Sequence, residues 1–250
     1  LSDKFLKSDL FLLRKRFFMN NKVIGIIGGM GPEATANFYM NLIKATKVNV
    51  DQDHFRVIID SNSKIPDRTK AILGVGESPV NQMIDAAKNL EKTGVDIGCI
   101  PCITAHYFIE DVSKAVNYPI LNVLKELERF IELRFSNIKK IGILATSGTV
   151  NSELFTKYLK DYHVIYPSKE IQQNKVMEAI YSDEIGIKSG KDFKEAKRLL
   201  IEAGEYLINE GADVLIAGCT EIVLAIKPED FSKPLVDPME VVIKKLIGEI

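Results

Sequence analysis

An internal repeat constrains the fold of this chain more than any other feature of its sequence. Residues 94–102 read GVDIGCIPC, and residues 211–219 read GADVLIAGC. In each segment a Gly is followed by a small apolar residue, an Asp and an apolar run, and a Cys stands eight residues after the Gly. A short apolar run behind a Gly is typical of a buried strand. The chain therefore contains the same strand pattern twice.

The spacing around this repeat indicates that it covers a large part of the chain. Cys102 lies 77 residues after Gly25, and Cys219 lies 77 residues after Gly142. Both glycines belong to short apolar runs, KVIGIIG and KIGILA, which are also typical of buried strands. Two halves of equal layout are therefore predicted.

Strands and helices alternate in both halves. In the first half we expect a strand at 22–28, a helix from 32 to 47, a strand at 55–60, a helix from 79 to 92 and a strand at 95–100. In the second half we expect a strand at 140–145, a turn at 146–149, a helix to 160, a strand at 164–166, helices through 178 and 202, and a strand before Cys219. Asp237 and Pro238 predict the cap and first residue of a final helix that runs to Ile250.

This alternation predicts parallel sheets covered by helices. We expect an α/β fold of two similar lobes, each a parallel sheet flanked by helices, related by pseudo-two-fold symmetry with the active site between them. Residues 21–118 together with 228–250 are expected to form the first lobe, and 119–227 the second. Residues 1–20 are interpreted as an N-terminal extension, with a basic amphipathic helix docked on the body as the alternative.

Composition excludes several classes of partner. The chain has 33 basic and 34 acidic residues and a formal charge of −1, so no overall field attracts nucleic acid or an anionic membrane. No apolar run approaches the roughly 18 residues that a membrane span needs. Three cysteines at unrelated spacings form no disulfide framework. We expect a cytoplasmic protein whose partner is a small molecule.

Cys102 and Cys219 are candidates for a reacting pair. Each follows a buried strand and precedes a helix, which is where open parallel sheets bind ligands. A helix N-terminus lowers the pKa of a nearby thiol and attracts a carboxylate. If the repeat places the two thiols on opposite sides of one cleft, they can remove and return a proton at one carbon, as a racemase requires. Cys99 has no counterpart, because Ile216 takes its place, and it is interpreted as strand packing.

Other residues are candidates for binding an acidic substrate. Arg68 lies in a polar loop after the second strand, where it can bind a carboxylate, and Lys188 lies between Gly186 and Gly190. Thr104 and Thr220 follow the two cysteines and can donate to an α-carboxylate. A surface salt bridge for Arg68 and a solvated position for Lys188 remain open at this point.

Four other interpretations of the sequence compete with a racemase. Cys99 and Cys102 form a C-x-x-C pattern that a dithiol oxidoreductase uses, and with His106 they resemble part of a metal site. His106 itself is interpreted as helix packing or as a residue that tunes the thiol. The glycine turn after the first strand is a weak nucleotide-binding signal. An amino-acid-binding protein without catalysis is the fourth reading.

Four motifs together resemble the aspartate racemases, the cofactor-independent branch of the aspartate/glutamate racemase family. They are GGMGPEAT at 28–35, IPDRT at 65–69, PCITAHYF at 101–108 and GCTE at 218–221. The resemblance extends from about Lys22 to the C-terminus. It implies two α/β lobes, no pyridoxal phosphate or other cofactor, and a homodimer.

The resemblance also implies roles for individual residues. The catalytic pair falls on Cys102 and Cys219. Substrate contacts fall on Met30, Arg68, Ile103, Thr104, Lys188 and Thr220.

Two positions bear on the substrate. Glutamate racemases have His after the second Cys-Thr, where this chain has Glu221, which favours aspartate over glutamate. The family usually has Asn after the first cysteine, and here that residue is Ile103. Its backbone N–H is then the group left to hold a carboxylate, so a slower enzyme or one of altered specificity is the alternative.

Overall fold

A computed structural model describes residues 22–190 and 193–250 of the chain. The predictions for residues 1–20 lie outside this part. In chain order the strands are β1 (Val23–Gly28), β2 (Arg56–Ser61), β3 (Ile97–Cys99), β4 (Lys140–Leu144), β5 (His163–Ile165), β6 (Val214–Ala217) and β7 (Leu235–Val236).

The helices fill the connections between these strands. They are α1 (Pro32–Ala45), α2 (Arg68–Ile72), α3 (Val80–Lys92), α4 (Ile109–Lys114), α5 (Val123–Arg134), α6 (Ser147–Asn151), α7 (Leu154–Tyr158), α8 (Lys169–Ile171), α9 (Glu178–Tyr181), α10 (Lys194–Asn209), α11 (Ile222–Ala225) and α12 (Pro238–Leu246). Short 3₁₀ turns lie at Asp51–Asp53, Thr104–Phe108, Ile187–Ser189 and Pro228–Asp230, and a π-helical segment, Gln172–Met177, joins α8 to α9.

The strands form two parallel sheets of the same design. The first has the order β2-β1-β3, and the second has the order β5-β4-β6-β7. In the first sheet an isolated parallel bridge between Gly98 and Ile120 occupies the place that β7 takes in the second. The predicted α/β fold with two similar parallel sheets is therefore confirmed.

The residues of the repeat have the same structural role in both halves. The side chain of Asp96 accepts a hydrogen bond from the backbone N–H of Val23 at 2.7 Å, and Asp213 accepts one from Lys140 at 2.9 Å. Each Asp thus joins the start of one strand to the start of its neighbour. Gly142 in β4 lies so close to the neighbouring strand β6 that a Cβ there would be 2.9 Å from Leu215 Cδ2.

The repeat continues beyond the cysteines. Asn122 caps α5 by accepting from the N–H of Leu124 at 3.0 Å, and Asp237 caps α12 by accepting from Met239 at 2.8 Å. These two helices follow the equivalent edge positions, Ile120 and β7, and they pack against each other. Each half is therefore a continuous stretch of chain that ends in a capped helix.

Residues 228–250 contact both halves of the molecule. The prediction assigned them to the first lobe, yet β7 is hydrogen-bonded to β6 of the second sheet, while α12 packs on α1 and α5. Ile120, predicted within the second lobe, bridges to β3 of the first sheet. The boundaries of the lobes stay a prediction.

The main hydrophobic core is shared by the two halves. It contains Ile26 of β1 and Ile143 of β4, together with Leu127 of α5 and Val242 of α12, and each of these side chains is fully buried. Burial of side chains of this size stabilises a fold by about 1.5–3 kcal/mol each. Much of the stability therefore depends on contact between the halves.

Two helix predictions were wrong in their extent. The segment predicted as a turn at 146–149 followed by one helix to 160 instead forms α6 and α7, because Glu153 between them has a left-handed backbone with φ of 52°. The last helix ends at Leu246, before the predicted end at Ile250. Among residues 22–190 and 193–250 there is no helix of the length and apolar character that crossing a membrane requires.

Candidate active site

A cavity lies where the carboxyl ends of strands from both sheets meet. The residues that line it follow β1, β2, β3, β4 and β6 or lie on the segments around α9: Met30, Arg68, Thr69, Cys102, Ile103, Thr104, Thr146, Tyr181, Lys188, Cys219, Thr220 and Glu221. All eight residues predicted for the site are in this set. The repeat brings the two cysteines to one cavity, because each occupies the same position after an equivalent strand.

The cavity is nearly filled by its own side chains. It has about 10 Å³ of room for the centre of a water-sized sphere, and a single water needs about that much. An amino acid can therefore enter only when some lining side chains move.

Arg68 is held at one wall of the cavity. It is the first residue of α2, which Asp67 caps, and its Nη1 donates to the carbonyls of Ile65 at 3.2 Å and Pro66 at 3.0 Å. Its Nη2 donates to the carbonyl of Met30 at 3.3 Å. The buried Nε has no hydrogen-bond partner among the described residues. Part of the guanidinium thus remains available to an anion.

The charge of Arg68 lies beside Cys102. Burial would lower the pKa of Arg68, but attraction to Cys102 and Asp67 raises it above its usual value. The arginine is a permanent cation in any case. The first thiol therefore has a positive neighbour.

His106 fixes the backbone around Cys102. Its Nδ1 donates to the carbonyl of Cys102 at 2.9 Å, and the ring is 2% exposed. Burial lowers the pKa of His106 to about 4, so the ring is neutral near pH 7. Since the ring bonds the carbonyl of Cys102, its observed contact is structural.

Cys219 has a carboxylate as its neighbour. Its Sγ donates to Glu221 Oε2 at 3.0 Å, and Thr220 Oγ1 donates to the same oxygen at 3.1 Å. The other carboxylate oxygen, Oε1, is 2.5 Å from Lys188 Nζ. Lys188 lies on the 3₁₀ turn Ile187–Ser189 and stands over the ring of Tyr181, 5.4 Å from its centroid.

The contacts among Cys219, Glu221 and Lys188 determine the protonation states of these three side chains. Burial, followed by the charge of Glu221, raises the pKa of Cys219 well above its usual value. Burial also opposes the charge of Glu221, but attraction to Lys188 and the hydrogen bonds from Cys219 and Lys188 outweigh it and lower the pKa of Glu221. Glu221 in turn raises the pKa of Lys188 against the effect of burial. The stable state is a thiol, a carboxylate and an ammonium.

This result corrects one expectation from the sequence. A helix N-terminus was expected to lower the pKa of each thiol, but α11, which follows Cys219, has only four residues, Ile222–Ala225. Burial and a carboxylate 3.0 Å away dominate there.

A cluster of buried threonines joins the two halves next to the cavity. Thr104 Oγ1 lies 3.2 Å from Thr146 Oγ1 and 2.9 Å from Thr149 Oγ1. Thr69 Oγ1 donates to Thr146 Oγ1 at 3.3 Å. The hydroxyls thus connect α2 and the turn after Cys102 to the start of α6.

Ile103 and Cys99 belong mainly to the core. Ile103 is 1% exposed and packs in the core shared by the halves, although it also borders the cavity. Cys99 packs in the same core, and burial raises the pKa of its thiol to about 12. The interpretation of Cys99 as strand packing is confirmed. In the described ranges, no three His, Cys, Asp or Glu side chains are grouped as metal ligands.

Three lining residues were not predicted from the sequence, and Glu221 was noticed only as a difference from glutamate racemases. Thr69 follows Arg68 directly, and Glu221 occupies the position in the repeat that Thr104 has in the first half. Those two relations were signals that could have identified them. Thr146 and Tyr181 carry no such signal, because only the fold brings them to the cavity.

Comparison with known proteins identifies the family of this chain. The sequence pattern of a family described as Asp/Glu/Hydantoin racemase matches residues 27–246. The chain belongs to this racemase family. An aspartate racemase of Picrophilus torridus is similar in structure, with a TM-score of 0.79 and 30% identity over 92% of this chain and 94% of that one.

Further relatives differ in the substrate that their names give. An aspartate racemase homologue from Pyrococcus horikoshii has a TM-score of 0.73 and 27% identity, over 91% of this chain and 98% of that one. A broad specificity amino-acid racemase of Bacillus subtilis is 26% identical over 90% of this chain and 97% of its own length. A glutamate racemase of Francisella tularensis shares the fold, with a TM-score of 0.63 and 18% identity over 92% of this chain and 81% of that one. Membership of the family supports an isomerase that acts on small amino-acid substrates.

Proposed function

We propose that the chain interconverts L- and D-aspartate, with Cys102 and Cys219 as the two proton-transfer groups. The observation that carries this proposal is that both thiols line one cavity together with two cations, Arg68 and Lys188. Aspartate has two carboxylates, so two cations match its charge. Racemisation needs an acid and a base at a single carbon, and two thiols can fill both roles.

The proposed reaction balances in one proton exchange. One sulfur, as a thiolate, removes the α-proton, and the electron pair of the C–H bond moves onto the α-carbon and its carboxylate. The other sulfur, as a thiol, gives its proton to the opposite face of that carbon. Burial and the charge of Glu221 raise the pKa of Cys219 and keep its proton on the sulfur, so we assign the donor role to Cys219 in the direction that starts with Cys102 as the base.

Most of the rate enhancement must come from electrostatics. Positioned acid and base groups contribute about 10²–10⁴-fold, and enzymes reach larger factors by stabilising the charge that develops in the transition state. Arg68, Lys188 and the hydroxyls of Thr104 and Thr220 are the groups that we propose for this role, with Met30 and the backbone of Ile103 as further substrate contacts. The proposal requires no cofactor. A homodimer is part of the same proposal, on the strength of the family resemblance, and so is a cytoplasmic location, on the strength of three cysteines that form no disulfide framework.

A racemase with other or broader substrates is the second candidate. Ile103 offers no side-chain amide to a carboxylate, and one relative with 26% identity is named as a broad specificity racemase. A protein that binds amino acids without reacting with them is separated by the same experiment. A dithiol oxidoreductase has less support, because Cys99 packs in the core.

The test is solvent deuterium exchange followed by chiral analysis. Purified protein is incubated in D₂O with L-aspartate, L-glutamate or L-alanine, and proton NMR follows loss of the α-proton signal. We expect exchange and formation of the D isomer with L-aspartate, and much slower exchange with L-alanine. Binding of aspartate without exchange would identify a binding protein, and faster exchange with glutamate or alanine would overturn the assignment of aspartate.

A further inference from the structure

Glu221 is a buried charge at the centre of the candidate site. It is 6% exposed, and both of its carboxylate oxygens are used. Oε1 binds Lys188 Nζ at 2.5 Å, and Oε2 accepts from Cys219 and Thr220 at 3.0 and 3.1 Å. One side chain thus connects a substrate-binding cation to a proposed catalytic thiol.

The pairing of Lys188 conflicts with its proposed role unless its partner can change. A substrate carboxylate at Lys188 needs the position that the Glu221 oxygen now holds at 2.5 Å from Nζ. The cavity has no spare volume for both, since its 10 Å³ is about the space for one water. Lys188 stands on a short turn that ends at Gly190, with φ of 70°, and its side chain is 27% exposed, so the cation can move more easily than the buried Glu221.

We propose that Glu221 is a positioning residue that stands in for the substrate's second carboxylate when the site is empty. This inference rests on the proposed function. When an acidic amino acid binds, Lys188 exchanges Glu221 for the carboxylate of the ligand. Glu221 keeps the hydrogen bonds from Cys219 and Thr220, so its charge remains partly satisfied.

In this exchange Lys188 favours dicarboxylates over neutral amino acids. A neutral amino acid has no second carboxylate to replace Glu221, and so it gains nothing from Lys188. An acidic substrate gains that contact but must first break the existing ion pair, which weakens its apparent binding. Glu221 therefore lowers the apparent affinity for dicarboxylates, and the selectivity itself comes from the contact with Lys188.

The test compares binding of succinate, a dicarboxylate that has no amino group and cannot be racemised. Isothermal titration calorimetry is performed on wild type and on Glu221→Gln, which keeps the shape of the side chain and removes its charge. We expect succinate to bind about tenfold more tightly to the variant, which corresponds to about 1.4 kcal/mol. A purely structural role predicts the opposite, because a disturbed site binds its ligand less well.

Glu202→Gln is the matched control, because Glu202 also pairs with a lysine, Lys175, but lies on α10 away from the cavity lining. We expect its succinate affinity to equal that of wild type. If Glu221→Gln does not fold, as judged by circular dichroism, Glu221→Asp replaces it, since the shorter carboxylate reaches Lys188 less well. For this variant we expect a smaller gain, about threefold.

The outcomes separate the inference from the proposed function. Equal or weaker succinate binding by the variant overturns the inference, and so does a wild-type protein that binds no succinate. The proposed function fails on a different result, which is wild-type protein that exchanges no deuterium into aspartate. If wild type exchanges deuterium into aspartate and the Glu221→Gln variant binds succinate as wild type does, then Glu221 has no role in substrate binding. The two-thiol reaction would still be supported.

Discussion

The two halves of the molecule present equivalent cysteines in opposite electrostatic surroundings. Cys102 lies beside Arg68, and its backbone carbonyl is bound by a neutral His106. Cys219 lies beside Glu221, and burial of Cys219 together with the charge of Glu221 keeps the proton on the sulfur. The repeated backbone thus determines where each sulfur lies, and the residues that are not repeated determine the charge beside it. A symmetric fold can in this way place its two reacting groups in different electrostatic environments.

Removing the sulfur of either cysteine is expected to have the largest effect on activity, and it tests whether both halves contribute. Cys102→Ser and Cys219→Ser should each lower the rate of aspartate racemisation by about 10²–10⁴-fold, because a serine hydroxyl is a much weaker base than a thiolate. Chiral chromatography of the product measures the rate. Cys99→Ser is the control with a sulfur outside the cavity, and it should retain activity.

The comparison of the two cysteines fails if one of the variants keeps most of its activity. In that case a single thiol is sufficient, and the equivalence of the two halves has no catalytic meaning. Loss of activity in Cys99→Ser at wild-type stability would instead support the dithiol reading.

Replacing the cation next to Cys102 is expected to have an intermediate effect. In Arg68→Lys the ammonium cannot reproduce the three carbonyl contacts and still offer a free N–H to a carboxylate. Loss of a hydrogen bond to a charged group costs about 1.5–3 kcal/mol, so kcat/KM for aspartate should fall about 10- to 150-fold. Steady-state kinetics checks this value.

The control for that variant is Arg198→Lys on the surface of α10, where the arginine pairs with Glu195 and Glu202. Its kinetics should match those of wild type. An unchanged KM and kcat in Arg68→Lys would show that Arg68 does not touch the substrate.

Substitution of a helix cap is expected to have the smallest effect. The cap of α5 is the neutral Asn122, whereas the cap of α12 is the acidic Asp237. Burial raises the pKa of Asp237 to about 6 from an ordinary 3.8. A carboxyl whose pKa is raised on folding stabilises the fold fully below about pH 4, and this contribution is lost as the pH rises through about 6. Asp237→Asn, which copies Asn122, should therefore raise the melting temperature at pH 7 and leave it unchanged at pH 4.

Asp237 is only half-buried, so solvent screens part of this effect, and we expect a gain of about 1–2 kcal/mol, or about 2–8 °C for a protein of this size. Thermal unfolding by circular dichroism at both pH values measures it. Asn122→Asp is the reciprocal variant, and it should lower the melting temperature at pH 7, since it also loses the bond that the Asn122 amide donates to Tyr158 at 2.9 Å. A lower melting temperature of Asp237→Asn at pH 7 would contradict the argument.

The sequence was sufficient to predict the fold because the repeat and the strand pattern are local signals. Gly94, Asp96 and Cys102 have counterparts at a fixed offset, and so the two sheets and the shared cavity could be anticipated. The contacts that place a charged side chain beside each sulfur could not be anticipated. The pair of Lys188 and Glu221 joins residues 33 positions apart through a turn whose place depends on the tertiary fold.

Helix ends were predicted less well, and the lobe boundaries stay a prediction. The break at Glu153 comes from one left-handed residue that no Gly or Pro announces. The assignment of 228–250 depended on which lobe the last helix contacts. The helix α12 packs on α1, which was predicted in the first lobe, and on α5, which was predicted in the second. Such contacts are decided by packing rather than by local sequence.

The core that the halves share has a consequence for how this chain could be divided. Each half is continuous in sequence, and residues 135–139 connect α5 to β4, so one cut there would yield two pieces of similar length. Neither piece would keep Ile26, Ile143, Leu127 and Val242 covered by itself. We expect such fragments to be insoluble or loosely folded alone and to regain both structure and activity when mixed, as a split enzyme does.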